Sequence, residues 1–212
     1  ADNGVWHFDV KSNSFVQDNN ILTKAGISSL NVRDIELLPN GLIAFGLWSD
    51  GVYIYNPKTT EGFRILSDLA AKLTGDAIQD LTMLGDSLWI AARLSGVYRY
   101  DLVLNQLHET QQQVPQLSLG ALCLAKGPKQ SLLICSGDGL LRYQPESNEI
   151  NHYGTADGLP DSHLLSAFTD PNERIWVTSP RAISVLPENQ LMFVTFTQAD
   201  GLSSSEAMYK AV

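Results

Sequence analysis

One word recurs along this chain at nearly constant spacing, and that constrains the fold more than any other feature. "DGVYIYNP" (Asp50 to Pro57), "SGVYRYDL" (Ser95 to Leu102) and "DGLLRYQP" (Asp138 to Pro145) share a Gly, an apolar residue and an aromatic two or three places on. Weaker copies flank them at "NGVWHFDV" (from Asn3) and "RAISVLPE" (from Arg181). The anchors Gly4, Gly51, Gly96, Gly139 and Ala182 stand 47, 45, 43 and 43 residues apart. About six residues before each of the last four anchors comes an apolar word, "LIAFG", "LWIAA", "LLICS" or "IWVTS". A fixed period of this length is the mark of a repeat architecture.

Each unit divides into four short segments rich in Val, Ile, Leu, Tyr and Trp, bounded by Gly, Asn, Asp, Pro or Ser. Such segments form strands separated by tight turns. Four strands per period of 43 to 47 residues predict an all-β chain, a β-propeller built of four-stranded antiparallel blades. Inner words such as "LWIAA" are apolar throughout rather than alternating, as expected when both faces of a sheet are covered by neighbouring blades. Trp89, Trp176, Tyr98, Tyr100 and Tyr143 are therefore expected in the core between blades. Helical signals are scarce; only Leu66 to Gly75, "LSDLAAKLTG", reads as a helical turn or two.

The count gives a partial blade over 1–30, blades over about 31–75, 76–120, 121–161 and 162–204, and the start of another over 205–212. A stable propeller is a closed ring, so the chain is expected to be a slice of a larger one, of seven blades. Were the two ends to share a blade, Phe8 and Phe15 would lie beside Met208 and Tyr209. A second repeated word, "ADGLPDSH" (from Ala156) and "ADGLSSSE" (from Ala199), falls at the expected crossings between blades. There Gly158 and Gly201 turn the chain, Leu159 and Leu202 anchor it, and Asp157 and Asp200 are turn residues.

The stretch "LLSAFTDPNERIWVTSPRAISVL", together with "DGLP" and "DGLS", resembles the two-component regulator propeller repeat. The pattern of that family is an apolar strand, an Asp, a Gly or Asn turn, an "lWigT" word, a Gly-rich link and "Gl.ryd". The likeness runs along essentially the whole chain. This chain departs from the pattern in keeping Trp in only the second and fourth "lWigT" words and Thr only at Thr178. The resemblance implies a periplasmic or otherwise extracytoplasmic sensor region. In such proteins the region is joined through a linker domain and a membrane span to a histidine kinase or diguanylate cyclase. None of those output segments, nor the span, lies in this sequence.

Composition narrows the partners. The chain has 212 residues with 44% apolar and 17% charged, and a net charge of −9. An acidic surface repels phosphate backbones and anionic lipid, so neither nucleic acid nor direct membrane binding is expected. The N-terminal residues lack the basic and apolar pair of regions that marks a signal peptide. Cys123 and Cys135 lie in two apolar runs on either side of "GPKQ", opposite or nearly opposite if the runs pair. The expectation is two buried free thiols, since Cys is commonly a small core residue, with a disulfide as the alternative. No second Cys or His stands at zinc-ligand spacing, so no metal and no cofactor are expected.

Catalytic patterns are missing. His7, His108, His152 and His163 are scattered, and no Gly-x-Ser-x-Gly turn, His-Glu-x-x-His or phosphate-cradling loop occurs. The reading is a non-catalytic, ligand-sensing propeller segment. Its alternatives are a propeller enzyme resembling a streptogramin lyase and a protein-interaction platform. Propeller loops between second and third strands converge with the inter-blade crossings at one end of the axis. The candidate ligand-binding residues there are Trp48, Asp50, Arg93, Asp138, His163 and Arg181. An indole beside guanidinium groups suits a small saccharide or anionic molecule. Incomplete edge blades would also favour self-association.

Overall fold

The computed structural model of the protein describes residues 4–65, 73, 75–187 and 190–203. A two-stranded hairpin, β1 (Trp6–Asp9) and β2 (Ser14–Gln17), comes first. Four sheets follow, each an antiparallel meander in chain order. Blade 1 holds β3 (Val32–Leu37), β4 (Ile43–Leu47), β5 (Val52–Asn56) and β6 (Glu61–Arg64). Blade 2 holds β7 (Ile78–Leu84), β8 (Ser87–Ala92), β9 (Gly96–Asp101) and β10 (Gln106–Glu109). Blade 3 holds β11 (Ala121–Lys126), β12 (Leu132–Ser136), β13 (Gly139–Gln144) and β14 (Glu149–Tyr153). Blade 4 holds β15 (Ser166–Thr169), β16 (Ile175–Ser179), β17 (Ala182–Leu186) and β18 (Val194–Phe196). The four first strands lie side by side, β3 next to β7, β7 next to β11 and β11 next to β15. This is the β-propeller arrangement that the period predicts.

The turns follow from the residues. Thr60, Asn105 and Asn148 occupy the same place in the hairpins between third and fourth strands, at φ of 59°, 54° and 57°. Asn13 does so in the β1–β2 hairpin at 50°, which marks β1 and β2 as the outer strands of a blade. Asn pays less than most residues for left-handed backbone. At the crossing after blade 3, Gly154 N–H donates to Asp157 Oδ2 at 2.8 Å, and Gly158 turns the chain at φ +91°. Thr197 and Asp200 repeat that bond at 2.9 Å before Gly201 at φ +103°, so both aspartates are turn residues as expected.

The core sits between blades. Leu88, Ile90, Ala92, Tyr98 and Tyr100 pack towards Val52 and Ile54 of blade 1. The alternating positions Trp89, Ala91 and Val97 pack towards Ile134, Leu141 and Tyr143 of blade 3. Period-2 alternation therefore serves two cores at once, which is why these strands read as apolar throughout. Of the aromatics expected between blades, Trp89, Tyr98, Tyr100 and Tyr143 are buried, while Trp176 is half-buried and stacks on Phe168 with centroids 6.1 Å apart.

Polar staples join the first strands as well. Asp34 accepts Leu81 N–H at 2.7 Å and Glu36 accepts Met83 N–H at 2.9 Å. Asp80, in the next blade, accepts Leu124 N–H at 2.9 Å. Asp34 and Asp80 each follow a bulge, Val32/Asp34 and Ile78/Asp80. The third copy of that bulge, Ala121/Cys123, places Cys123 directly opposite Cys135.

Those two cysteines form a disulfide, with Cα atoms 4.9 Å apart, and this corrects the expectation of two free thiols. The bulge fixes the register so that the two Cβ atoms face each other at bonding distance. A short helix, α1 (Asn20–Lys24), seats Leu22 against blade 1 and was not signalled by the sequence. The helical reading of Leu66 to Gly75 lies almost wholly outside the described residues, as do Met208, Tyr209 and the 205–212 partial blade.

Candidate functional site

In an antiparallel meander, the loops between second and third strands share an end with the crossings from each fourth strand to the next first. At that end the loops Trp48–Gly51 and Arg93–Ser95 are laced to the crossings around them. Trp48 N–H donates to Asn31 O at 3.1 Å, Gly75 N–H to Ser49 O at 3.1 Å and Arg93 N–H to Ala77 O at 2.9 Å. The buried Asp76 carboxylate accepts the N–H groups of Leu94 and Ser95 and the Ser95 hydroxyl, the last at 2.7 Å. At Gly120 a Cβ would stand 2.0 Å from Arg93 O. The rim is thus held by backbone geometry, which fixes where its side chains point.

Trp48, half-buried at this rim, carries two guanidinium groups against its ring. Arg33 Cζ lies 4.8 Å and Arg93 Cζ 5.8 Å from the ring centroid. Arg33 comes from β3 and reaches blade 2, donating from Nη2 to Oε1 of the buried Gln79 at 3.2 Å. Arg93 comes from blade 2 and reaches back, so the cluster straddles the seam between the two blades. Both guanidiniums stay charged at any physiological pH. The indole attracts each of them, yet they repel one another, and an anion laid across the pair would remove that repulsion. Close by, Asn31 Oδ1 is buried with no hydrogen-bond partner among the described residues.

The structure brings Trp48 and Arg93 together and leaves the other four candidates apart. Asp50 turns into its own blade, 3.3 Å from Arg64 Nη2 and accepting the Tyr53 hydroxyl at 3.1 Å. Burial, reinforced by this carboxylate, raises the Tyr53 hydroxyl pKa. Asp138 is exposed and meets His152, whose Nε2 lies 2.7 Å from the Asp138 carbonyl oxygen. His163 is exposed, with its N–H donating to Asp161 at 2.8 Å. Arg181 is exposed in the two-residue loop of blade 4. Arg33, Gln79 and Asn31 were not among the candidate ligand-binding residues. The signal for Arg33 lay in the repeat itself, because the equivalent positions are Gln79, Leu122 and Leu165. Among the described residues no group of His, Cys, Asp and Glu is placed to hold a metal ion.

A seam-spanning rim cluster on side-by-side four-stranded meanders defines a β-propeller with a candidate axial ligand site. No family model matches the chain. It is 21% identical over 192 residues to histidine kinase P4 of Formosa agariphila, which covers 86% of this chain and 14% of that protein. Among solved structures it superposes on the extracellular domain of a B. thetaiotaomicron protein named as a one component system, BT4673. There the TM-score is 0.73 at 18% identity, over 96% of this chain and 28% of that one. It also superposes on virginiamycin B lyase from Staphylococcus aureus, with a TM-score of 0.70 at 16% identity, over 97% of this chain and 66% of the lyase. At these identities the likeness is one of fold. The resemblance read from the repeat words has a counterpart in the histidine kinase, of which this chain spans a minor part.

Proposed function

We propose that this chain is a ligand-sensing propeller segment of an extracytoplasmic signal-transduction protein. It is non-catalytic itself, and its ligand is a small anionic or saccharide molecule bound at the axial rim. The observation that carries this reading is Trp48 between Arg33 and Arg93, an aromatic face and two fixed cations presented across a blade seam. The Cys123–Cys135 disulfide supports the location, since disulfides persist in oxidising compartments and are rare in the cytosol. The histidine kinase relative and the extracellular neighbour support the signalling role.

The lyase neighbour keeps a catalytic reading in view. Against it, His163 on this rim has Asp161 bonded to its backbone rather than to its ring. Calorimetric titration of the chain with acidic oligosaccharides and their neutral counterparts tests the proposal. Acidic ligands are expected to bind, and Trp48→Ala or Arg93→Met to weaken them at least about tenfold, or ~1.4 kcal/mol. Equal binding by both variants would overturn the assignment.

A further inference from the structure

A second site stands on the outer side of the propeller, between blades 2 and 3. In blade 2, Trp89, Arg99 and His108 are directly opposite one another on three adjacent strands, Trp89 with Arg99 and Arg99 with His108. The row faces blade 3, where Trp89 meets Tyr143 edge-on with centroids 5.7 Å apart. It forms one wall of a cavity of about 270 Å³, completed by Thr110, Gln112 and Tyr143. A further hollow of about 200 Å³ shares Trp89 and Arg99.

The repeats serve as internal controls for this wall. The equivalent rows are Ala44–Ile54–Phe63 in blade 1, Leu133–Arg142–Asn151 in blade 3 and Trp176–Val185–Val194 in blade 4. Where the indole or the guanidinium recurs, its own blade satisfies it. Trp176 Nε1 donates to Asp170 Oδ2 at 2.9 Å, across the long turn between β15 and β16. Arg142 donates to Ser131 Oγ at 3.1 Å and to the Pro128 carbonyl at 3.3 Å. In blade 2 the corresponding turn is cut to Gly85–Asp86, and among the described residues no carboxylate bonds to the indole.

As a result Trp89, 2% exposed, has a buried Nε1–H with no acceptor among the described residues, and His108 Nε2 is likewise buried without a partner among them. Between them, among the described residues, the Arg99 guanidinium makes no hydrogen bond; the Asp101 carboxylate, two places along β9, acts on it and on His108 through space only. Glu109, the acid on this wall, already accepts from Gln112 Nε2 at 2.8 Å. A buried donor left unmade costs about 1–3 kcal/mol, and unmade groups sharing one wall call for a common acceptor.

We infer that this crevice binds a small hydroxylated carboxylate of about monosaccharide size. Its carboxylate accepts from Trp89 Nε1–H, from Arg99 and from His108 in the tautomer that carries its proton on Nε2, and its hydroxyls face Gln112 and the Tyr143 oxygen. A charge-assisted acceptor suits these donors better than a neutral one, and the cavity lies just below the usual range for drug-sized ligands. The site is separate from the Trp48 rim and does not depend on that reading.

The test uses the four indole N–H resonances of the ¹⁵N-labelled chain, with that of Trp89 identified by its loss in Trp89→Phe. Sodium D-glucuronate, at up to about 10 mM for a weak millimolar ligand, is expected to move the Trp89 resonance saturably, and to do so equally in Trp48→Ala, whatever happens at the rim. D-glucose is expected not to move it. Arg99→Gln should weaken the response at least about tenfold, with unchanged Trp48 and Trp176 resonances reporting an intact fold. His108→Gln provides the same reading should Arg99→Gln fail to fold. A Trp89 resonance indifferent to glucuronate, its N–H satisfied by ordered water alone, would overturn the inference. So would a response that persists undiminished in both variants, or one that is lost in Trp48→Ala.

Discussion

Opening the Cys123–Cys135 disulfide measures how much of blade 3 rests on a cross-link rather than on packing. The bond closes a short loop, with a sequence separation of 12. Constraining the unfolded chain over such a loop stabilises the fold by about 3 kcal/mol. Blade 4 supplies a natural substitute at the same place: Ser166 and Thr178 face each other there and share a hydrogen bond of 2.7 Å, both buried. Replacing Cys123 by Ser and Cys135 by Thr should therefore return about 1 kcal/mol of the loss, whereas the double Ala variant returns none. The assay is urea unfolding, followed by fluorescence with and without dithiothreitol. With a slope of about 3 kcal/mol per molar for a chain of this size, reductant should lower the wild-type midpoint by about 1 M and move neither variant. The Ser/Thr variant should lie above the Ala variant. A wild-type midpoint unmoved by complete reduction would refute the reasoning, and so would a Ser/Thr variant no more stable than Ala.

Two further expectations concern turns. Gly139 has φ +117° and a Cβ there would stand 2.3 Å from Tyr153 O, while a Cβ on Gly137 meets nothing within 4 Å. Gly139→Ala should cost about 3 kcal/mol, from left-handed strain and backbone collision, and Gly137→Ala within about 0.5, as read by chemical denaturation. Asp170 has its carboxyl pKa set at about 2. Desolvation pulls it upward, but hydrogen bonds from Trp176 Nε1, from Arg174 Nε at 2.6 Å and from the N–H groups of Arg174 and Asn172 outweigh that pull. A depressed pKa gives stability that is present above the ordinary value of 3.8 and lost as pH falls towards 2. Melting temperatures should therefore show wild type well above Asp170→Asn at pH 6, with the gap closing between pH 4 and 2.

The propeller was legible because its geometry demands particular residues at fixed spacing. Gly51, Gly96 and Gly139 all lie at positive φ, and the strand words alternate between two cores. Such demands write themselves into sequence once per blade. Register is a different matter. Pairing Trp48 with Arg33 requires the bulge between Val32 and Asp34, and a bulge leaves no composition of its own. That the loops share an end with the inter-blade crossings was legible from the meander, but their side-chain directions were not. Asp50 looked like a rim acid and instead pairs with Arg64 across its blade. The cysteines were placed opposite each other in outline, yet only the register of β11 on β12 decides between two thiols and a bond.

The bulge locus shows how a repeat protein varies while keeping its period. Across four blades the paired positions are Asp34–Gly46, Asp80–Ala91, Cys123–Cys135 and Ser166–Thr178. In blades 1 and 2 the small partner leaves room for a carboxylate, which reaches outward to a backbone N–H of the next blade. In blade 3 the same position is committed to its own hairpin, so the seam to blade 4 is joined instead by its apolar core, by Thr169 Oγ1 donating to Lys126 O at 2.8 Å, and by Phe193 N–H and Thr195 Oγ1 donating to the Asp157 and Gly158 carbonyls of the crossing at 2.8 and 3.0 Å. One side chain per blade thus decides whether stiffness is placed between blades or within one. The Trp48 cluster sits across the seam between blades 1 and 2, where Asp34 and Glu36 staple the two first strands together. A ligand gripping Arg33 and Arg93 therefore acts on two blades already held in fixed relation, so binding there need not spend free energy on ordering the seam.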